Sequence, residues 1–139
     1  MKRRCDLITP CEVAVKSVIP AIKALMAKEL VEKHGMKQNE VAGLLGISQS
    51  AVSKYTKKTR GYVISIDSIE EIQVPINNMI ALAVNGDYQR TDFLRLFCQA
   101  CLIIREKGVM CHYCQKTEPK TDISQCTLCL ASYPAEKER

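Results

Sequence analysis

The sequence predicts a mainly α-helical protein with a small cysteine-rich module at its C-terminus. Apolar residues recur at spacings of three and four over much of the chain, which is the pattern of amphipathic helices. Hydrophobic residues make up 47% of the 139 residues, enough for a packed core. The residues after Gly108, however, are poor in large aliphatic side chains and rich in cysteine. We therefore expect something other than hydrophobic burial to order this last region.

The first helix is expected over residues 11–34. Its apolar residues recur at helical spacing: Val15, Val18, Ile22, Leu25, Met26 and Leu30. Gly35 is placed to end this helix, because glycine accepts the left-handed backbone of a C-terminal cap. Pro20 lies inside the pattern, so either the helix kinks there or a new helix starts there.

Residues 38–58 have the spacing of a helix-turn-helix. Two helices that cross steeply over a short turn need a small residue where they touch, and Ala42 fits that point. The turn needs a positive φ, which Gly46 supplies four residues later. Apolar residues would hold the second helix against the first, namely Leu45, Ile47, Val52 and Tyr55. An ordinary pair of core helices is the alternative interpretation, and the agreement among these features favours the helix-turn-helix.

The outer face of the second motif helix carries groups suited to DNA. Ser48 can cap this helix, which leaves amide, hydroxyl and ammonium groups outside, at Gln49, Ser50, Ser53 and Lys54. Phosphate anchors are expected directly after it, at Lys57, Lys58 and Arg60. Residues 1–60 hold 12 Lys and Arg against 5 Asp and Glu, a net +7, whereas residues 61–97 carry −3 and residues 98–139 carry +1. The field that would attract a polyanion therefore belongs to the first 60 residues.

The segment after residue 60 predicts an extended piece and then a helix. Residues 62–66 are short and rich in β-branched side chains, which indicates a strand or an extended linker. Asp67-Ser68 with Glu71 offers a helix cap, so we expect a helix from about there to Val84, with Pro75 inside it.

A further helix completes the predicted dimerisation region. Asn85-Gly86-Asp87 interrupts the chain, and Thr91-Asp92 starts a helix that continues to Lys107-Gly108. The helices at about 68–84 and 91–107 carry more apolar residues than so small a unit need bury alone, among them Met79, Ile80, Phe93, Leu94, Phe97 and Ile104. We therefore predict a homodimer joined through these helices.

The chain resembles a family of archaeal transcriptional regulators with a Cro/repressor-type helix-turn-helix. The resemblance covers roughly residues 10–114 and rests on Pro10-Cys11-Glu12, Ala27-Lys28-Glu29-Leu30-Val31, residues 38–55 and Cys98-Gln99-Ala100-Cys101. It implies a dimeric DNA-binding regulator in which Gln38 contacts phosphate, and in which the major groove is faced by Gln49, Ser50 and Ser53. Some relatives join this module to a thiamine-phosphate-synthase-like domain, which we do not expect here. Lys37 also departs from the family, which often has a hydroxyl cap at this position.

Three Cys-x-x-Cys pairs predict a metal centre in the C-terminal region. The candidate ligands are Cys98, Cys101, Cys111, Cys114, Cys126 and Cys129. Each pair brings two thiolates into one short turn, and a tetrahedral ion needs about four. Tetrahedral thiolate sites suit zinc and a [4Fe–4S] cluster alike, and we expect one of the two. Buried, inert thiols are the alternative, which three pairs make less attractive.

Spacing leaves open which pairs share a metal. The last two pairs, from Cys111 to Cys129, would make a short zinc ribbon, whereas the resemblance favours the first two pairs, from Cys98 to Cys114. Six ligands exceed one tetrahedral ion, so a spare pair could serve redox chemistry, or a second site completed by Cys11 or by a partner chain. Cys5 and Cys11 are otherwise expected to be ordinary structural residues. His112 is a possible further ligand, and a solvated side chain is the interpretation that we favour for it.

These observations predict a cytoplasmic, dimeric regulator of transcription that binds double-stranded DNA and is not an enzyme. We expect a DNA-binding domain at residues 1–62, a helical dimerisation region at 63–97 and a metal-binding module at 98–139. The metal centre would either sense metal or redox state or stabilise the structure. A thiol redox protein, or a zinc-ribbon interaction module of the transcription machinery, is the alternative function. No segment is apolar for long enough to span a membrane, and no small-molecule substrate is evident.

Overall fold

The computed structural model describes residues 7–57, 64–120 and 122–129. Over these ranges the protein is helical, as predicted, and contains no strand. The helices are α1 (Pro10–Lys16), α2 (Val18–Glu32), α3 (Gln38–Leu45), α4 (Gln49–Thr56), α5 (Gln73–Asn85), α6 (Arg90–Glu106) and α7 (Cys111–Thr117). A 3-10 turn, Glu70–Ile72, precedes α5. No helix in the described ranges has the length and apolar character required to cross a membrane.

Helix α2 lies at the centre of the fold. It packs against α1, α3, α4, α5 and α6, so it links the residues of the predicted DNA-binding unit to the C-terminal helices. The side chains of Ile22, Met26 and Leu30 on α2 are completely buried. The same core continues through Ile66, Ile72 and Ile104, which are also completely buried.

The first predicted helix is two helices that meet at Ser17. The buried hydroxyl of Ser17 donates a hydrogen bond to the carbonyl oxygen of Val13 at 2.7 Å. Pro20 is the third residue of α2, in the first turn, where a missing amide costs nothing. A continuous helix would have pressed the ring of Pro20 against the carbonyl of Lys16. The new helix therefore starts two residues before the proline.

The predicted cap at Asp67-Ser68 is wrong, because α5 starts later, at Gln73. Residues 67–68 form a turn, followed by the 3-10 turn. The reason is again a proline, since Pro75 is the third residue of α5 and a helix begun at Ser68 would have placed it in the interior. Of the predicted strand or linker, residues 64–66 form no strand, and residues 62–63 lie outside the described residues.

The predicted end of α5 and course of α6 are confirmed. Gly86 has a φ of 76° and caps α5. Helix α6 starts one residue before Thr91, at Arg90, and ends at Glu106. Helix α6 runs without a break through residues 97 and 98, where the sequence predicts a boundary between two domains.

Most of the apolar residues expected at a dimer interface are buried within the chain itself. Met79, Ile80, Phe93 and Ile104 belong to the core. Phe97 is half-buried, and Leu94 is 47% exposed. The exposed large apolar side chains of α6 are therefore few, namely Leu94 and Leu102.

Candidate nucleic-acid interface and cysteine cluster

The turn between α3 and α4 has the geometry that the sequence predicts. Helix α3 begins at Gln38, and Gly46 follows its end with a φ of 67°. The amide of Ile47 donates a hydrogen bond to the carbonyl of Ala42 at 3.1 Å, which closes the turn. Ala42 itself is buried, as expected for the small residue where the two helices meet. Lys37 precedes α3 with extended backbone and makes no side-chain cap.

Ser48 caps α4. Its Oγ accepts a hydrogen bond from the amide of Ala51 at 3.0 Å, and its own backbone is extended. One side of α4 is buried against α2 and α3 through Ala51, Val52 and Tyr55. The opposite side of α4 therefore faces outward.

The predicted DNA-contacting residues of α4 lie on that outward side. Gln49, Ser50 and Lys54 are exposed, and Ser53 is half-buried. Lys57 is exposed directly after the helix. Gln38 is half-buried at the start of α3. The remaining predicted anchors, Lys58 and Arg60, lie outside the described residues.

The comparison with protein families decides the nature of this unit. Residues 28–72 match the family model described as helix-turn-helix. This part of the chain is a helix-turn-helix domain. The match supports a DNA-binding regulator of transcription. No curated protein and no solved structure matches the chain.

The helix-turn-helix domain includes more than the two motif helices. It begins in the second half of α2 and continues through α3 and α4 to Ile72 in the 3-10 turn. The residues after residue 63 contribute core side chains to it, including Ile64, Ile66 and Ile69.

Four of the six C-terminal cysteines line a cavity of about 300 Å³. Two come from α7 and two from the turns that follow it: Cys111, Cys114, Cys126 and Cys129. Burial raises the pKa of the Cys111 and Cys114 thiols, and the negative charges of Cys126 and Cys129 raise it further. The two pairs therefore lie near enough to one another for their thiolates to repel.

The other described cysteines, on α1 and α6, do not line that cavity, although Cys11 and Cys101 lie close to Arg105, which does. Burial raises the pKa of the Cys101 thiol, and the neighbouring thiolates of Cys98 and Cys11 add to this effect. The positive charge of Arg105, by contrast, lowers the pKa of Cys101. Cys11 and Cys98 are exposed, whereas Cys101 is partly covered. The predicted ligands thus fall into two groups, and Arg105 lies close to both of them.

Arg105 is a site residue that the sequence analysis missed. It is only 8% exposed, and its Nε donates a hydrogen bond to Sγ of Cys129 at 3.4 Å. Burial lowers the pKa of the Arg105 guanidinium, but the bond to Cys129 and the nearby thiolates of Cys129, Cys11 and Cys101 raise it on balance. An arginine in the last turn of a helix is common on electrostatic grounds, so the sequence offered no signal for this contact.

The side chains of the described ranges do not take up metal-binding geometry. Within residues 7–57, 64–120 and 122–129, no group of three or more Cys, His, Asp or Glu side chains is arranged to hold a metal ion. His112 is exposed on α7, and Cys5 lies outside the described residues.

Proposed function

We propose that this protein is a sequence-specific DNA-binding regulator in which α4 enters the major groove. The observation that carries the proposal is the exposed polar face of α4, held outward by the buried Ala51, Val52 and Tyr55 within a helix-turn-helix domain. Gln49 and Ser50 lie at the start of α4, the end that reaches base edges in this motif. A glutamine can bind adenine through two hydrogen bonds, so Gln49 is the main determinant of sequence preference.

Affinity comes from contacts to the phosphate backbone. Lys54 and Lys57 are exposed on and just after α4, and Lys58 and Arg60 continue the basic run. Each such contact releases a counterion from the DNA, so this part of the affinity falls as salt rises. Gln38, at the start of α3, positions the motif by contacting a phosphate.

The regulator acts as a homodimer. One helix-turn-helix unit makes few base contacts, and two units placed about one helical turn of DNA apart supply the specificity that a regulator needs. Leu94, Cys98 and Leu102 follow one another at four-residue intervals on α6 and are all exposed, so they form one stripe. We assign this stripe to contact with a second copy of the chain.

The cysteine region holds a metal centre, either zinc or a [4Fe–4S] cluster. Its support is chemical, since four thiols around one cavity are the donors that both centres prefer. Helix α6 joins this region to α2, and α2 packs against α4. A structural change at the metal centre could therefore reach the DNA-binding helix through these packed helices. A redox or metal sensor and a purely structural site are the two roles open to it.

Selection of binding sites from a random duplex library tests the proposed function. The immobilised full-length protein, loaded with metal, should enrich a sequence made of two related half-sites. Enrichment of one isolated half-site would contradict the dimer. Binding without any enriched sequence would contradict sequence-specific recognition.

A further inference from the structure

We propose that Cys111, Cys114, Cys126 and Cys129 form one tetrathiolate metal site, with Arg105 as its buried counterion. This inference rests on the proposed metal centre and assigns its ligands. It leaves Cys98 and Cys101 outside the site, which contradicts the ligand set that the family resemblance favours.

The cavity brings the two Cys-x-x-Cys pairs together. One pair lies on α7 and the other follows it in the turn region, and both line the same cavity. Two short pairs facing each other are the usual source of four tetrahedral thiolates. A bound ion would draw the four sulfurs inward from the cavity wall, to about 2.3 Å in the case of zinc.

The position of Arg105 supplies the second, independent observation. Its side chain is more than nine-tenths buried, and the hydrogen bond from Nε ends on the sulfur of Cys129. In the described part of the chain no carboxylate is in ion-pair contact with it. A buried cation without an anion is costly, and a neutral thiol is a weak acceptor. Arg105 therefore requires negative charge in or beside this cavity.

A tetrathiolate centre supplies that charge. Four thiolates with Zn²⁺, or with a [4Fe–4S]²⁺ core, carry a net charge of about −2. Arg105 offsets half of it and, through Nε, holds the sulfur of Cys129 in orientation, as groups behind metal ligands commonly do. Because Arg105 lies in the last turn of α6, it also fixes the metal site to the helix that carries the proposed dimer stripe.

Titration of the metal-free, full-length protein with Co²⁺ tests the ligand set. The intensity of the sulfur-to-cobalt charge-transfer band increases with the number of bound thiolates. We expect the Cys98→Ser/Cys101→Ser variant to give the wild-type band, and the matched Cys126→Ser/Cys129→Ser variant to lose about half of it. Loss of intensity in the first variant, or an unchanged band in the second, would overturn the assignment.

Substitution of Arg105 tests the counterion. Arg105→Met removes the charge and the hydrogen bond but keeps a similar apolar stem, and it should weaken Co²⁺ binding by about 10–100-fold. Arg105→Lys keeps the charge and should lose less than Arg105→Met. Equal losses in the two variants, or wild-type affinity in Arg105→Met, would overturn the role of Arg105.

The two proposals fail separately. A failure to enrich any DNA sequence would contradict the proposed regulator without changing the cobalt spectra. Cobalt spectra that point to Cys98 and Cys101 would contradict the ligand assignment without changing the selected DNA sequence.

Discussion

The hydroxyl of Ser48 lies 3.0 Å from the backbone amide of Ala51 and accepts its hydrogen bond. This contact starts α4 at Gln49, directly after the turn at Gly46. It therefore determines which residues of α4 face outward and could meet DNA. The stability of the turn and the proposed specificity of the protein thus depend on the same few residues.

Replacing Ser48 by Ala should destabilise the protein by about 1 kcal/mol, because the amide of Ala51 loses its capping partner. The free energy of unfolding, measured in urea by circular dichroism, checks this value. Ser50→Ala is the matched control, because Ser50 is an exposed serine two residues after Ser48. Its effect on the free energy of unfolding should stay within about 0.5 kcal/mol. Equal effects of the two substitutions would contradict the cap.

Replacing Gly46 by Ala should destabilise the protein by about 1–2 kcal/mol, because Gly46 has a φ of 67°, where a Cβ atom is strained. Gly43→Ala is the control within the same motif. Gly43 is helical and a Cβ there would meet nothing within 4 Å, so alanine should stabilise by about 0.5–1 kcal/mol. Thermal and urea unfolding should place the two variants on opposite sides of the wild type.

The ion pair between Glu71 and Lys107 should make stability depend on pH in the acid range. The hydrogen bond from Lys107 holds the pKa of Glu71 below its ordinary value of 4.5. A lowered pKa in the folded state adds stability above pH 4.5, and this contribution is lost as the pH falls through the folded-state pKa. Glu71→Gln should therefore be less stable than the wild type at pH 7 and equal to it in strong acid.

Unfolding curves at several pH values test this expectation, with Glu70→Gln in the same 3-10 turn as the control. Added salt should reduce the difference at pH 7, because both partners are about half-exposed. A difference between Glu71→Gln and the wild type that persists unchanged in strong acid would contradict the ion pair.

Substitutions in the dimer stripe on α6 should change the mass of the protein in solution. Multi-angle light scattering at micromolar concentration should give the mass of two chains for the wild type. The Leu94→Asp/Leu102→Asp variant should give the mass of one, because it places charge on both ends of the stripe. Val15→Asp is the control, since Val15 is 62% exposed and belongs to α1 rather than to α6. A monomeric wild type would contradict the interface.

The helix-turn-helix could be predicted from the sequence because its constraints are local. Ala42, Gly46 and Ser48 each satisfy a backbone requirement within a few residues, and the structure confirms all three positions. The helix starts at Val18 and Gln73 were harder to predict, because they depend on how far a proline may lie inside a helix. Ser17 and Ile72 directly precede these two helices, and neither side chain makes a capping hydrogen bond.

The C-terminal region could not be predicted in the same way, because its structure depends on tertiary contacts. Helix α7 has no fully buried residue, so its sequence lacks the periodic apolar pattern from which a helix is predicted. Arg105 is part of the site because it contacts Cys129, which is 24 residues away in the chain. The spacing of the cysteines left their pairing open, and only the arrangement around the cavity favours one set.

We expect Gln49 to determine sequence preference and the basic residues to bind the phosphate backbone of the DNA. Fluorescence anisotropy with the selected duplex and a scrambled duplex of equal length measures both contributions. Gln49→Ala should weaken binding to the selected duplex by about 1–3 kcal/mol and leave the scrambled duplex unchanged. Lys57→Ala, the control, should weaken both duplexes equally and flatten the salt dependence by about one unit. Equal weakening of both duplexes by Gln49→Ala would contradict the claim that α4 reads the major groove through this residue.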